Sequence, residues 1–434
     1  MPNRRDYLFY RFHGSCVNRP YYTYPPKRKY TLVNTQQQDD WPQPAEPSVD
    51  SLPPVLDSPE TQTQENLIQP KQSYFRRIGH GIYSATGWCF GMVSLIFGLA
   101  VVSAIPVVNL ISLGYLLHIS GTIARTGRLR DGFIGVRKAG RIGGVILGIW
   151  MVLWPARFLA AMRDSALIVN PNGSAGWNIG LWIVTALTTL HLTWAVLRGG
   201  KLRHFIWPAP IDFIRWLRSS NKFSSARDAL WNTVSELRLP FLFWLGARGF
   251  AGTLLWLLIP VGLMILASNI TSNAGILVSL LGGLILMGVL LYLPFLQVWF
   301  ARENRFGAFI EVAKVHRLGN KAPFMFWLGL LLTLALAVPL FLMKIELTPA
   351  EITWLPALFF VVFGLPARLM VGWAMGRANL RETSRHFTLR WLFRLAALPI
   401  IFGYTLILFL TQFISWNGPL SLLQQHAFLV PSPF

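Results

Sequence analysis

Long apolar stretches alternate with short basic segments over most of this chain. A helix needs about 17–25 residues to cross roughly 30 Å of hydrocarbon. Seven stretches reach that length, and they lie at 142–164, 177–197, 239–267, 275–300, 323–343, 354–375 and 395–416. The pattern therefore predicts an all-α fold, a polytopic transmembrane helical bundle spread over residues 81–416.

An eighth apolar region, residues 88–124, is too long for one crossing. As a straight helix it would measure about 55 Å at 1.5 Å per residue. Pro106 lies near its middle, where proline removes a helical hydrogen bond and clashes with the preceding turn. We therefore expect two short helices, 88–104 and 107–124, arranged as a bent, hairpin or re-entrant pair. The total is then about eight or nine membrane helices.

The positive charge is concentrated in alternate connections between these stretches. The chain has 39 Lys and Arg against 18 Asp and Glu. Of the basic residues, 34 lie in the first 87 residues and in the segments 125–141, 198–238, 301–322 and 376–394. Cytoplasmic loops of membrane proteins carry such an excess. We expect a plasma (bacterial inner) membrane protein with a cytoplasmic N-terminus and a short external tail, 417–434.

This distribution also bears on the partners of the protein. A formal charge of +21 in a soluble protein would first suggest nucleic acid, but here the charge is divided among segments beside membrane helices. We expect membrane lipids as partners, with anionic headgroups at the basic cytoplasmic loops, and no nucleic acid. Segments 205–238 and 302–320 mix aromatic and basic residues in a pattern typical of amphipathic helices. The sequence does not indicate a particular protein partner.

The first 80 residues are polar and rich in Pro, Gln and acidic residues after a basic, tyrosine-rich start. Such a segment has too few large apolar residues to offset the cost of ordering its backbone. We predict a disordered cytosolic tail. The change in composition at Val33 leaves two alternatives: residues 1–32 are not translated in the cell, or they form a basic arm that touches anionic lipid.

Four arginines lie inside predicted membrane helices, and three of them are the candidate functional residues: Arg248, Arg368 and Arg157. The fourth, Arg163, lies at the end of its stretch. Charged groups are costly in a membrane and often mark functional sites there. Arg248 is the strongest candidate, because its sequence neighbours include no carboxylate. The alternative is that each arginine extends its long side chain to the nearer membrane surface.

Other chemistry has little support in the sequence. The phosphate-binding, zinc-protease and serine-hydrolase motifs are absent, and the two cysteines form no metal-ligand pattern. We expect no enzymatic activity and assign no catalytic, cofactor or metal site. The preferred function is structural, assembly or lipid-interacting. The alternative is a secondary transporter or permease for an anionic small molecule, with Arg248 or Arg368 in a polar cavity. A third class of function is a membrane-embedded transferase that acts on lipids.

One region resembles a known group of proteins. It comprises Leu113-Gly114-Tyr115-Leu116-Leu117, then Ala124-Arg125-Thr126-Gly127-Arg128-Leu129, and then Asp131-Gly132-Phe133. This stretch is similar to uncharacterised bacterial multi-pass membrane proteins that are grouped as a domain of unknown function. The likeness covers about residues 88–141. It implies a membrane-embedded helical fold and no particular activity, so no functional residue is carried over from it.

Overall fold

A computed structural model describes residues 74–169, 175–217, 231, 235–270, 272–345, 354–414 and 418–424. The regular structure of these residues is helical, with short 3₁₀ turns at Leu129–Gly132, Phe306–Ile310 and Gly418–Leu420. The helices are α1 (Tyr74–Ala104), α2 (Asn109–Thr126), α3 (Val136–Val169), α4 (Ala175–Leu197), α5 (Leu202–Ile206), α6 (Pro210–Leu217), α7 (Leu239–Ala267), α8 (Asn273–Glu303), α9 (Val312–Lys321), α10 (Pro323–Ile345), α11 (Trp354–Asn379), α12 (Phe387–Ile414) and α13 (Ser421–Gln424). The predicted all-α fold is confirmed for this part of the chain.

Within the described residues, eight helices are long and apolar enough to cross a membrane. They are α1 from Ser84 onward, α3, α4, α7, α8, α10, α11 and α12. Proline lies inside several of them, including Pro155, Pro260 and Pro366. Membrane helices tolerate this because neighbouring helices satisfy the freed backbone groups. These features fit a multi-pass membrane protein.

Some helices differ in length from the apolar stretches. Helix α1 begins at Tyr74, so it includes the last residues of the predicted tail. Helix α3 is longer than its stretch at both ends, and α12 begins at Phe387 rather than at residue 395. The reason is that a helix can continue through polar residues beyond an apolar stretch, and hydropathy alone does not register this. The predictions for residues 1–73 and for most of the tail 417–434 lie outside the described residues.

The region 88–124 forms two helices, α1 and α2, with the chain turning at 105–108. Val107 has a positive φ of 67° at this turn. The hydroxyl of Ser112 donates to the Leu99 carbonyl at 2.9 Å. Three residues further along α2, Tyr115 donates to the Ile134 carbonyl at 2.6 Å, and Phe133 contacts Trp88 of α1. The Ser112 contact places the start of α2 against the end of α1.

Helix α2 is the most enclosed helix of the described part, packed between α1, α7, α8 and α11. Twelve of its 18 residues are buried, including Asn109, Ser112 and Ser120. Glycines allow the close approach. A Cβ at Gly114 would overlap the carbonyl of Leu242 in α7, and a Cβ at Gly246 in α7 would overlap the carbonyl of Leu110. The backbones of α2 and α7 therefore touch directly, as small residues permit in membrane bundles.

Several helix termini meet at one end of the bundle, which we call the basic end. Helices α2, α8 and α11 finish there, and α9 and the start of α12 lie beside them. Arg125 donates to the carbonyl of Arg302 at 2.8 Å, and Asn379 donates to that of Ala124 at 3.0 Å. Arg381 donates to the Lys321 carbonyl at 3.2 Å. Side chains of this end thus satisfy helix carbonyls that have no partner within their own helix.

Helices α3 to α6 lie at the periphery of the bundle. Only Val136, Gly144 and Gly148 of α3 are buried among the residues described. Of the predicted amphipathic segment 205–238, residues 218–230 and 232–234 lie outside the described residues. The rest includes the end of α5 and all of α6, and Phe213 and Trp216 of α6 pack against Trp194 of α4. Ile211 and Ile214 of α6 are exposed. An exposed apolar face next to Asp212 and Arg215 is typical of a helix that lies at a membrane surface.

The glycine contacts between α2 and α7 lead to a first prediction. Gly114→Ala or Gly246→Ala should lower the melting temperature of the detergent-solubilised protein, because backbone atoms cannot move aside for the added methyl group. The cost should reach the upper part of the roughly 1–3 kcal/mol typical of overpacking. Gly283→Ala in α8 is the control, since a Cβ there has nothing within 4 Å. Equal melting temperatures for all three variants would contradict this packing.

Candidate functional site

Arg248 lies in α7 and reaches the C-terminal end of α8. Its Nη2 donates to Oδ1 of Asn304 at 2.8 Å, and its guanidinium lies 5.8 Å from the centre of the Phe300 ring. Asn304 ends α8 with a left-handed backbone, φ 53°. Arg248 therefore packs against a helix end at the basic end of the bundle.

Arg368 of α11 is enclosed, with only 3% of its surface exposed. Its Nη1 donates to Oε1 of Gln297 in α8. The Gln297 amide donates to the hydroxyl of Thr253 in α7 at 2.5 Å, and that hydroxyl donates to the Gly249 carbonyl at 2.7 Å. One chain of hydrogen bonds therefore joins three membrane helices. Nη2 of Arg368 is buried without a hydrogen-bond partner.

Arg157 is exposed on α3. The nearby Asp164 pairs with Arg163 at 2.7 Å. The structure thus places the three candidate arginines apart, on α3, α7 and α11. The transporter alternative places Arg248 in a polar cavity, and in the structure Arg248 contacts a helix terminus and an aromatic ring.

A cavity that combines apolar and cationic groups lies elsewhere, at the basic end. It has a volume of about 280 Å³ and lies between α8, α9, α10 and α12. We call it the interfacial pocket. Its apolar wall includes Leu291, Phe295, Phe326, Leu330 and Leu398, and its polar groups are Tyr292, His316, Asn320, Trp327, Arg390 and Arg394.

A hydrogen-bonded network crosses the polar side of this pocket. Nη2 of Arg394 donates to Nε2 of His316 at 2.7 Å and to Oδ1 of Asn320 at 2.6 Å. A guanidinium can only donate, so Nε2 accepts and neutral His316 holds its proton on Nδ1. Nδ1 then donates to the Tyr292 oxygen 2.8 Å away. The hydroxyl proton of Tyr292 is left available to another acceptor.

The surroundings of His316 favour its neutral form. Burial lowers the pKa of His316 below the ordinary 6.5, and the positive charges of Arg394 and Arg390 lower it further.

Two pocket donors have no hydrogen-bond partner: Nε1 of Trp327 and Nε of Arg390 are both buried. The pocket therefore has donor groups to spare beside an apolar wall.

The pocket residues were not among the predicted site residues. Arginine inside an apolar stretch was the criterion, and Arg390 and Arg394 precede the stretch that begins at residue 395. A signal was present, however. Arg390 and Arg394 are four residues apart, as are His316 and Asn320, and each pair therefore shares a helix face. The sequence alone does not show that the helix face with Arg390 and Arg394 contacts the face with His316 and Asn320.

Glu311 fixes α9 beside this pocket. Trp299 of α8 donates to Oε2 of Glu311 at 2.7 Å, Lys314 lies 3.1 Å from the same oxygen, and Arg305 pairs with Oε1. The hydrogen bond from Trp299 lowers the pKa of Glu311 to about 2, helped by those from Lys314 and Arg305 and opposed by burial. One carboxylate thus joins the end of α8 to the start of α9.

A second prediction concerns the buried chain at Arg368. Gln297→Leu should destabilise the protein by roughly 3–5 kcal/mol, because it leaves a buried charge without compensation. The double variant Gln297→Leu with Arg368→Met should recover most of that loss. Unfolding in denaturing detergent measures both, with Gln412→Leu in α12 as the matched control. A double variant no more stable than Gln297→Leu would show that Arg368 is not the cause.

A third prediction concerns pH. Glu311 is more acidic in the fold than its ordinary pKa of 4.5, so it stabilises the protein above that pH and loses this contribution as the pH falls toward 2. Glu311→Gln should therefore lower the melting temperature at pH 7. The difference from the unaltered protein should shrink between pH 4.5 and pH 3. A constant difference across this range would refute the assignment.

Comparison with known proteins gives no further guide to the site. No protein-family model, no curated protein and no solved structure matches the chain. The resemblance to uncharacterised bacterial membrane proteins over about residues 88–141 stays a prediction.

Proposed function

We propose that this chain is a lipid-interacting protein of the plasma (bacterial inner) membrane, with its basic end among anionic headgroups of the cytoplasmic leaflet. In this proposal the N-terminus is cytoplasmic and the C-terminus external. The protein contacts lipid as part of its function, as a structural or assembly component of the membrane, and it performs no catalysis.

The observation that supports this most directly is a set of arginines that lie on tryptophan rings. The guanidinium of Arg302 is 4.8 Å from the Trp299 ring centre, and that of Arg377 is 5.3 Å from Trp373. Arg394 and Trp391 form a third pair at 5.9 Å. Tryptophan favours the level of the lipid headgroups, and a cation on its face is held where a phosphate can reach it.

These pairs recur on different helices. They lie at the ends of α8 and α11 and near the start of α12. Arg198 at the end of α4 forms a similar pair with Trp194 at 5.7 Å. Arg302 also keeps a buried Nη1 without a hydrogen-bond partner. Groups of this kind attract anionic lipid by about 1 kcal/mol per basic residue near the surface.

The transporter alternative has less support. It places Arg248 or Arg368 at a polar cavity between helices. Arg248 is engaged by Asn304, and Arg368 is enclosed and bound to Gln297. In both arrangements the arginine connects two helices and so has a structural role. We therefore favour the lipid-interacting function over transport.

The fourth prediction tests this function. The purified protein is placed in nanodiscs of phosphatidylcholine with a minority of phosphatidylglycerol, and the lipids it retains in mild detergent are counted by native mass spectrometry. The protein should retain phosphatidylglycerol several-fold above its share of the mixture. The double variant Arg302→Gln with Arg377→Gln should lose most of this enrichment, because two cationic sites at the headgroup level are removed.

Arg163→Gln is the matched control, since Arg163 is at the C-terminal end of α3 and pairs with Asp164. It should retain phosphatidylglycerol like the unaltered protein. Retention in proportion to the lipid mixture, or an equal loss in both variants, would refute the proposal.

A further inference from the structure

We infer that the interfacial pocket binds one amphiphile whose headgroup is anionic and only accepts hydrogen bonds, a carboxylate or a phosphate monoester, with its alkyl chain along the apolar wall. This inference rests on the proposed function and names the ligand class of one site within it. The argument has three parts: the shape of the pocket, its donor groups and the state of His316.

The apolar wall fits a chain rather than a small anion. Leu291 and Phe295 of α8 face Phe326 and Leu330 of α10, and Leu398 of α12 lies beside them. Phe295 and Phe326 stack with ring centres 4.3 Å apart. A volume of about 280 Å³ lies near the lower limit of pockets that hold small ligands. It suits part of one alkyl chain with its headgroup and is too small for a whole two-chain lipid.

The polar side of the pocket has donors in excess. Arg390 and Trp327 each have a buried N–H without a partner, and a buried donor that lacks a hydrogen bond is unfavourable. Arg394 has a guanidinium beside them, and Tyr292 has a free hydroxyl proton. A carboxylate or phosphate oxygen would satisfy these donors at once, with the added strength of charged hydrogen bonds.

The pocket offers little to a headgroup that carries an ammonium. Its described lining contains no Asp or Glu. Oδ1 of Asn320 and Nε2 of His316 both accept from Arg394, and the Tyr292 oxygen accepts from Nδ1 of His316. A choline or ethanolamine headgroup would bring a positive charge next to Arg390 and Arg394 with no counter-charge. The pocket should therefore discriminate against zwitterionic lipids of the same chain length.

Ligand binding is coupled to the protonation of His316. While His316 is neutral, its Nε2 accepts from Arg394. Protonation turns Nε2 into a donor, so Arg394 is released toward the ligand and a second positive charge appears beside it. The groups that face His316 are Tyr292 of α8, Arg390 and Arg394 of α12, and Asn320 of its own helix. A bound anion raises the His316 pKa, so binding takes up a proton and strengthens as the pH falls.

The fifth prediction tests the ligand class. The full chain in phosphatidylcholine nanodiscs is titrated with oleate, oleoyl lysophosphatidic acid, oleoyl lysophosphatidylcholine and inorganic phosphate, and binding is measured by isothermal calorimetry. Oleate and lysophosphatidic acid should bind at least tenfold more tightly than lysophosphatidylcholine. Phosphate alone should bind weakly, because it leaves the apolar wall empty.

Variants then place the binding in this pocket. Arg390→Gln with Arg394→Gln should weaken the two anionic probes at least tenfold, while Arg385→Gln, at an exposed arginine just before α12, should not. Since Arg394 also holds α9, Trp327→Phe serves as a milder variant that removes one donor and keeps an aromatic ring. It should weaken the anionic probes several-fold and leave lysophosphatidylcholine unchanged.

The pH arm tests His316. Between pH 7.5 and 5.5 the affinity for oleoyl lysophosphatidic acid should rise in the unaltered protein and in His386→Gln, whose histidine is exposed. It should rise much less in His316→Gln. A parallel rise in His316→Gln would overturn the coupling.

The remaining outcomes separate this inference from the proposed function. Equal binding of lysophosphatidylcholine, or phosphate binding as tight as that of lysophosphatidic acid, would overturn the ligand class. If phosphatidylglycerol is enriched on the protein but no probe binds in the pocket, this inference fails and the proposed function stands. If the probes bind in the pocket but phosphatidylglycerol is not enriched on the protein, the proposed function fails and the pocket still binds the inferred ligand class.

Discussion

The direct backbone contact between α2 and α7 is the constraint on which the rest of the bundle depends. A helix as enclosed as α2 can exist only if its neighbours approach closely on every side, and Gly114 and Gly246 make that possible where it meets α7. Gly372 and Gly376 of α11 do the same on another side, against Ser120 and Ile123. Without a hydrophobic driving force between helices in lipid, such close packing provides much of the association energy. The position of α2 then fixes where α8 and α11 end.

The chemistry of the basic end follows from those helix termini. Carbonyls of a final helical turn lack partners, and here Arg125 and Asn379 supply them between helices. Arginines used in this way serve the fold. Others, such as Arg302 and Arg377, lie on tryptophan rings, and these are the arginines that we propose contact headgroups. In this proposal the same residue type has structural and lipid-facing members, according to the groups that each arginine contacts.

The sequence was sufficient for the class of fold, because apolar stretches and basic loops are properties of single segments. Helix α7 matches its predicted stretch, 239–267, and the break at Pro106 follows from the chemistry of proline. The interfacial pocket could not be predicted in the same way. It forms only because α9 turns His316 and Asn320 toward Arg394. That meeting depends on packing between segments more than 70 residues apart, a relation with no local signal.

Our proposals therefore separate the buried charge of this protein from the charges to which we assign a function. Arg368 meets the usual criterion for a functional residue, an ionisable group among membrane helices, yet its main partner is the Gln297 amide, which ties α11 to α8 and, through Thr253, to α7. Arg390 and Arg394 do not meet that criterion, since they precede the apolar stretch of α12. They nevertheless line the cavity that we infer binds a ligand. A ligand must reach a charged side chain in order to bind it. A position in an accessible cavity beside unpaired donors is therefore a better criterion for a candidate functional residue than depth in the bilayer.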